Sequence, residues 1–239
     1  MNTHATKVTY NWSPQGYIDL VERTSNPGLK EYEKKELEYI ITKIPLLNRT
    51  VIDVGAGYGR VLPHLAPLTK DIVAVEIDSN MFGELKRRTI KYPNVTTIQG
   101  DANYLSQLLD GVELMEPIIL SLQNSLGTWV GDAKKAIAEM KKIAQEAHGE
   151  IIISLHRQKA LKTYGVGMFK SVEALVGKID LQRTDFGKGI FRSKTGYLSK
   201  WWNDSEIETM IKQLNGKTVN KVENSNFVIL HIKYQKENE

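Results

Sequence analysis

Apolar residues along this chain fall into short runs separated by stretches of helical spacing. Val51 to Val54 is one such run, and others recur at Asp71 to Ile77, Val95 to Ile98, Pro117 to Leu122 and Glu150 to Leu155. Between them apolar positions return every three or four residues, so Val61 to Leu68, Met81 to Lys91, Tyr104 to Leu109 and Lys134 to Glu146 read as helices. Strands joined by helical crossovers predict a parallel α/β sheet, and unbroken runs such as IIL and IIIS predict strands covered on both faces. Upstream, Asn26 before Pro27 is a helix-start signal, with Asn as cap and Pro in the first turn. Leu29, Tyr32, Leu37, Ile40, Ile41 and Ile44 follow at helical spacing. The charges of KEYEKKELEY among them read as a solvated face laced by i,i+4 pairs.

After Leu155 the rhythm breaks. Residues 157 to 203 read as an insertion or lid, with a strand at Gly189 to Arg192. Asn203 to Leu214 is helical, and Thr218 to Val222 and Phe227 to Tyr234 read as an antiparallel strand pair. The tail QKENE reads as disordered, and residues 1 to 45 as N-terminal cap helices. No repeat or linker divides residues 1 to 239, so one domain with embellishments is expected.

Bulk composition narrows the chemistry only at one point. The 239 residues carry no cysteine, which excludes cysteine nucleophiles, disulfides and cysteine-held zinc or iron–sulfur centres. No cluster with metal-ligand spacing is visible, so no metal is expected. The net charge of +4 is spread out, which argues only weakly for nucleic acid. No signal-peptide core and no run of 18 apolar residues occurs, so a cytoplasmic protein with no membrane partner is expected.

The sequence VIDVGAGYGR, residues 51 to 60, runs from a strand straight into Gly55, Gly57 and Gly59. The spacing is G-x-G-x-G. The dinucleotide fingerprint needs G-x-G-x-x-G, and position 60 is Arg60. A P-loop is absent, because the only GKT, at Gly216, has Ile211 where the first glycine belongs. Two further acids follow at strand ends. Glu76, in VAVEID, is placed to accept both hydroxyls of a ribose, and Asp101, in GDANYL, to accept from an adenine amino group. Each has a plain alternative: Asp53 as a helix cap, Glu76 as a surface acid, Asp101 as a turn residue. Taken together, they describe adenosine without a pyrophosphate, and the ligand that fits is S-adenosylmethionine (SAM).

VIDVGAGYGR, VAVEID, GDANYL and PIILSLQN resemble the successive motifs of class I SAM-dependent methyltransferases, over roughly residues 30 to 156 plus the final strand pair. The resemblance implies a Rossmann-like, mostly parallel seven-stranded sheet with its last strand antiparallel, helices on both faces and a lid inserted after the fifth strand. It implies a cofactor site lined by Asp53, Gly55, Ala56, Gly57, Glu76, Ile77, Met81, Asp101, Ala102 and Asn103, with Gln123 near the methionine end. The product would be S-adenosylhomocysteine (SAH).

The acceptor is read from the loop after the fourth strand. Adenine and many RNA N-methyltransferases carry Asn/Asp-Pro-Pro-Tyr/Phe there, whereas this chain has LQNSLGTW. RNA cytosine-C5 enzymes use a cysteine, which is missing. ANYL, QNSLG and SLHRQ are similar to fragments of glycine N-methyltransferase and its small-molecule relatives. That resemblance implies Asn124 and Arg157 against an acceptor's carboxylate, and a small amine as acceptor. His156 is either an orienting or deprotonating group or a structural histidine. Trp201 with Tyr197 forms either an acceptor wall or packing. Tyr10, Trp12 and Tyr17 form either a lid over the cofactor or anchors. That family carries an arginine close before the helix leading into the first strand, against the cofactor's carboxylate; NPGLKEY has none, so either Arg23 or Lys30 substitutes or the contact is lost. Two rival readings stay open: a tRNA or rRNA methyltransferase using the lysines of 158 to 200, and a SAM-binding partner subunit without catalysis. A homo-oligomer is also compatible with the sequence.

Overall fold

A computed structural model describes residues 13–23, 26–128 and 133–234. The chain runs α1 (Pro14–Arg23), α2 (Pro27–Lys43), β1 (Thr50–Val54), α3 (Leu62–Leu65), β2 (Asp71–Glu76), α4 (Ser79–Thr89), β3 (Val95–Gln99), α5 (Leu105–Leu108), β4 (Ile118–Ser121), α6 (Ser125–Thr128), α7 (Ala133–Glu146) and β5 (Glu150–His156). An inserted segment holds α8 (Val166–Ser171), α9 (Glu173–Val176), β6 (Ile190–Arg192) and β7 (Leu198–Lys200); α10 (Asp204–Leu214), β8 (Thr218–Glu223) and β9 (Phe227–Lys233) close the fold. Tyr10, Trp12 and the tail QKENE lie outside the described residues.

The seven-stranded sheet has the order β3-β2-β1-β4-β5-β9-β8, with β9 antiparallel to both neighbours. The expected Rossmann-like sheet with one antiparallel strand is therefore present. Alternation along each strand feeds two cores. Ile52, Val54, Ile151 and Ile153 pack under α5, α7 and α10, while Val51, Ile72, Ile118 and Ile152 pack under α2, α3 and α4. Burying both faces explains the unbroken apolar runs, and each enclosed Ile or Val contributes about 1.5–3 kcal/mol of transfer free energy.

Three expectations change. The helix expected over 61 to 68 shrinks to Leu62–Leu65: Ala66 keeps helical backbone, but Pro67 offers no N–H to continue the ladder. The inserted segment contains a second strand, β7, which pairs with β6 as a hairpin. The charge run of α2 is not uniformly solvated: Glu36 sits fully buried on the same stripe as Leu29, Tyr32 and Ile40. Asn26 does cap α2, accepting from Leu29 N at 3.0 Å.

The inserted segment has its own small core of Phe169, Phe191, Tyr197 and Trp201. It reaches both N-terminal helices. A Cβ built on Gly28 would lie 2.4 Å from the Tyr164 ring, and one on Gly16 would touch Leu175 at 3.3 Å.

Candidate active site

Strand order reverses between β1 and β4, and the carboxyl ends of these strands open a crevice there. The glycine loop leaves β1 on one side. Gly55 N and Ala56 N both donate to Val75 O, at 2.9 and 3.0 Å, folding the loop back over β2. Gly57 has φ +57°, and a Cβ added there would meet only Tyr17 Cε1 at 4.0 Å. The backbone at Gly57 is thus bare toward the crevice, which lets a ligand approach closely.

Glu76 ends β2 and is buried. Its Oε2 accepts from Gly57 N at 2.7 Å and its Oε1 from Asp78 N at 2.8 Å. Burial raises its carboxyl above the ordinary range, against the pull of those two amides. Each oxygen retains a further lone pair for a hydroxyl donor. Beside it Ile77 is an apolar side chain left 55% exposed among the described residues, while Met81 is buried in the first turn of α4. Asp101 accepts from Asn103 N at 2.9 Å, starting the 3-10 turn Ala102–Tyr104. Asn103 is buried with its Oδ1 unpartnered.

On the other side of the crevice, β4 ends in a strained turn. Gln123 and Asn124 have φ +53° and +57°, a left-handed backbone uncommon for non-glycine residues. Buried Glu36 holds this turn in place. It accepts from Gln123 N at 2.6 Å, from Arg60 Nη2 at 2.5 Å and from Ser154 Oγ. Tyr32 donates to the same Ser154 hydroxyl at 2.9 Å. The Gln123 side chain then bridges two helices: its Oε1 accepts from Tyr17 at 3.0 Å and its Nε2 donates to Glu33 at 2.5 Å.

These groups form an acidic pocket with one cation. Burial pushes Asp53 up to about 7, opposed by nearby Arg60. Burial pushes Glu33 up to about 7 as well, again opposed by Arg60. Burial disfavours charge on Arg60, yet Glu36 and Glu33 hold its guanidinium firmly protonated. Tyr17, Asp53, the loop 55–57, Tyr58, Arg60, Gln123 and Ser125 enclose a cavity of about 40 Å³. Tyr17 closes it from α1, edge-on to Tyr58 at 5.9 Å. Helix α1 is tied to α4 by the Glu22–Arg88 pair at 3.1 Å, and Arg88 lies over the Tyr58 ring.

The structure therefore brings Asp53, Gly55, Ala56, Gly57, Gln123 and Tyr17 together around one cavity, with Glu76 bonded to its loop. The acceptor candidates are placed differently. Asn124 is spent on the inserted segment: its Nδ2 donates to Lys200 O at 3.0 Å, and its Oδ1 accepts from His156 N and Trp202 Nε1, each at 3.2 Å. Arg157 pairs with Asp204 at 2.5 Å and Glu223 at 2.6 Å, so its fork faces side chains of this protein rather than the cavity. His156 is buried, stacks on Trp201 at 4.3 Å and has an unpartnered Nδ1; burial lowers its imidazole to about 3. Trp201 is fully buried, and Tyr197 lies in the inserted segment's core. Lys30 is exposed, and the Arg23 side chain lies outside the described residues.

Sequence reasoning passed over Arg60, Glu33, Glu36, Tyr58 and Ser125. A signal existed for two of them. Glu36 falls on the helical stripe 29, 32, 36, 40, and Arg60 takes the place where a dinucleotide loop continues toward glycine.

Residues 51–147 match the family model of the methyltransferase domain. Among curated proteins, a ribosomal RNA small subunit methyltransferase A from Syntrophus aciditrophicus (strain SB) is 26% identical over 126 residues, which is 50% of this chain and 44% of that protein. The chain spans less than half the length of the curated relatives it matches. Among solved structures, a protein from Pyrococcus horikoshii OT3 superposes with TM-score 0.63 at 16% identity, over 91% of this chain and 96% of that one. Magnesium protoporphyrin IX methyltransferase from Synechocystis PCC 6803 with bound SAH gives TM-score 0.57 at 17% identity, over 93% and 96%.

Proposed function

We propose that this chain, a class I SAM-dependent methyltransferase by its domain and its fold, methylates a small-molecule amine in the cytoplasm. The observation that carries the reading is the acidic end of the crevice, where Asp53 lines the cavity with Gln123 and Tyr17, and Glu33 accepts from the Gln123 amide. Such a pocket suits a cationic or amine ligand and repels an anionic one.

The residues present fit the cofactor. Glu76 has acceptor capacity left for ribose hydroxyls and exposed Ile77 offers an apolar face to a purine; in this reading Asp101 and Asn103, whose Oδ1 is unpartnered, accept from the purine's amino group. Asp53 and the bare Gly57 backbone face the amino-acid end. A cavity of about 40 Å³ is far below the roughly 300–1,000 Å³ of a ligand pocket, so cofactor entry moves Tyr17 out from between Gly57 and Gln123. When bound, SAM supplies a methyl on a sulfonium: the acceptor nitrogen's lone pair forms the new N–C bond as the S–C bond breaks toward a neutral thioether.

The chain supplies position and a proton acceptor. Gln123 and Tyr17 line the methionine end, and Glu33 takes the proton that the amine loses. In this reading Asn124 and Arg157 hold the inserted segment and the C-terminal hairpin in register, and His156 with Trp201 is the packed floor between them. The experiment is methyl transfer from labelled SAM to a panel of primary and secondary amines, with small-subunit ribosomal RNA alongside. Labelled amine and SAH in equal amounts support the reading. The rRNA reading rests on the curated relatives, and labelled RNA with unlabelled amines would replace ours by it.

A further inference from the structure

The amino-acid end of SAM carries a carboxylate as well as an ammonium, and an acidic pocket needs a cation for the former. Among the described residues lining the cavity, Arg60 is the sole cation. Its position follows from the chain. It is the first residue past Gly59, and the loop's turn brings its guanidinium back toward α2, where Nη2 donates to Glu36. That pair uses one edge of the fork. Nε and Nη1 have no partner among the described residues, and Arg60 is one of the residues that line the cavity. Glu36 meanwhile holds Gln123 N and Ser154, so the carboxylate that steadies Arg60 also fixes the turn after β4. Asp53 lines the same cavity, so a carboxyl group and a guanidinium share one lining. An α-amino acid presents the complementary pair.

We infer that Arg60 is the cofactor's carboxylate anchor, with its free edge facing the amino-acid end and Glu36 as the residue that positions it. The planar fork of a guanidinium is suited to this double contact, because one edge pairs with a protein carboxylate while the other binds a second. The inference rests on SAM binding at the glycine loop, and decarboxylated SAM separates the two claims because it keeps adenosine, sulfonium and amine.

The test is calorimetric titration of the full chain with SAM and with decarboxylated SAM. The wild type is expected to prefer SAM by about 10- to 100-fold, the worth of a charge-assisted hydrogen bond or pair of them. Arg60→Met should abolish that preference, so that SAM and decarboxylated SAM bind the variant within about threefold of each other. If both ligands weaken together and the preference survives, Arg60 acts only through the fold and the inference is wrong. If the methionine variant does not fold, Arg60→Lys keeps a charge beside Glu36 but loses the fork. The preference should then drop severalfold, and an unchanged preference again overturns the assignment. Failure of the wild type to bind either ligand would instead remove the cofactor site itself.

Discussion

Glu36 Oε2 accepts a 2.5 Å hydrogen bond from Arg60 Nη2, joining the middle of α2 to the end of the glycine loop across 24 residues of sequence. Glu36 is fully buried, and the Arg60 side chain is 17% exposed. Removing one partner of such a pair leaves the other charge without compensation, which typically costs about 3–5 kcal/mol. Glu36→Leu is therefore expected to lower stability by about that amount in urea unfolding. A loss below about 1 kcal/mol would mean that the pair is solvated in solution.

Asn124 makes side-chain bonds to Lys200, His156 and Trp202, and its neighbour Gly127 packs so closely that an added Cβ would lie 2.3 Å from Lys200 O. The turn after β4 is thus the clasp of the inserted segment. Asn124→Ala leaves several buried groups unpaired, with an expected cost of about 2–3 kcal/mol. Amide hydrogen exchange should speed up at residues 198 to 203 more than in the sheet. Uniform exchange across the chain would show that the clasp lies elsewhere.

Asp53 carries a pH signature. Burial raises its folded value to about 7 from 3.8, so the folded, ligand-free protein holds a proton that the ammonium of SAM must expel. Affinity for SAM is expected to rise with pH up to about 7 and then level off, with Asp53→Asn flattening the rise. For stability the same shift has a definite sign. The folded state binds the proton more tightly, so this contribution is fully present at acid pH and is lost as pH climbs through about 7. Calorimetry in buffers of different ionisation enthalpy reads the released proton directly, and no release at about pH 6, below the folded value, would refute the role given to Asp53.

His156 contributes with the opposite sign. Its folded value is lowered to about 3 by burial, while the unfolded chain titrates near 6.5. Below pH 6.5 the unfolded state binds the extra proton, so stability falls as pH drops. At one pH unit below that value the loss approaches about 1.4 kcal/mol. His156→Phe keeps a ring on Trp201 and removes this slope, and the difference between the two proteins isolates it from Asp53 and Glu33. Parallel stability-versus-pH curves would contradict the buried, neutral assignment.

Much of this architecture is readable from the chain because its physics is local. Strands buried on both faces, such as Ile151 to Ile153, need no polar alternation and show up as runs. The carboxylates Glu76 and Asp101 stand at strand ends that the runs already mark. Glu36 is only half legible: the helical stripe of Leu29, Tyr32 and Ile40 marks its position as buried, but the partner that compensates it, Arg60, lies 24 residues away. The assignments of Arg157 and Asn124 to an acceptor follow a resemblance of short fragments, and their actual partners, Asp204, Glu223 and Lys200, lie in segments those fragments do not cover. The inserted segment is opaque because a π-helical turn at Leu161–Gly165 and strands of three residues leave no period to detect.

The central claim is that the glycine loop and Glu76 together hold an adenosyl amino acid. Titration of SAM and SAH into the wild type and Glu76→Ala addresses it directly. Binding to the wild type is predicted, with a loss of about 100-fold or more in the variant, because two ribose hydroxyls lose their charged acceptor and Gly57 N its partner. Equal affinity in the two proteins would contradict the claim, and so would a wild type that binds neither ligand.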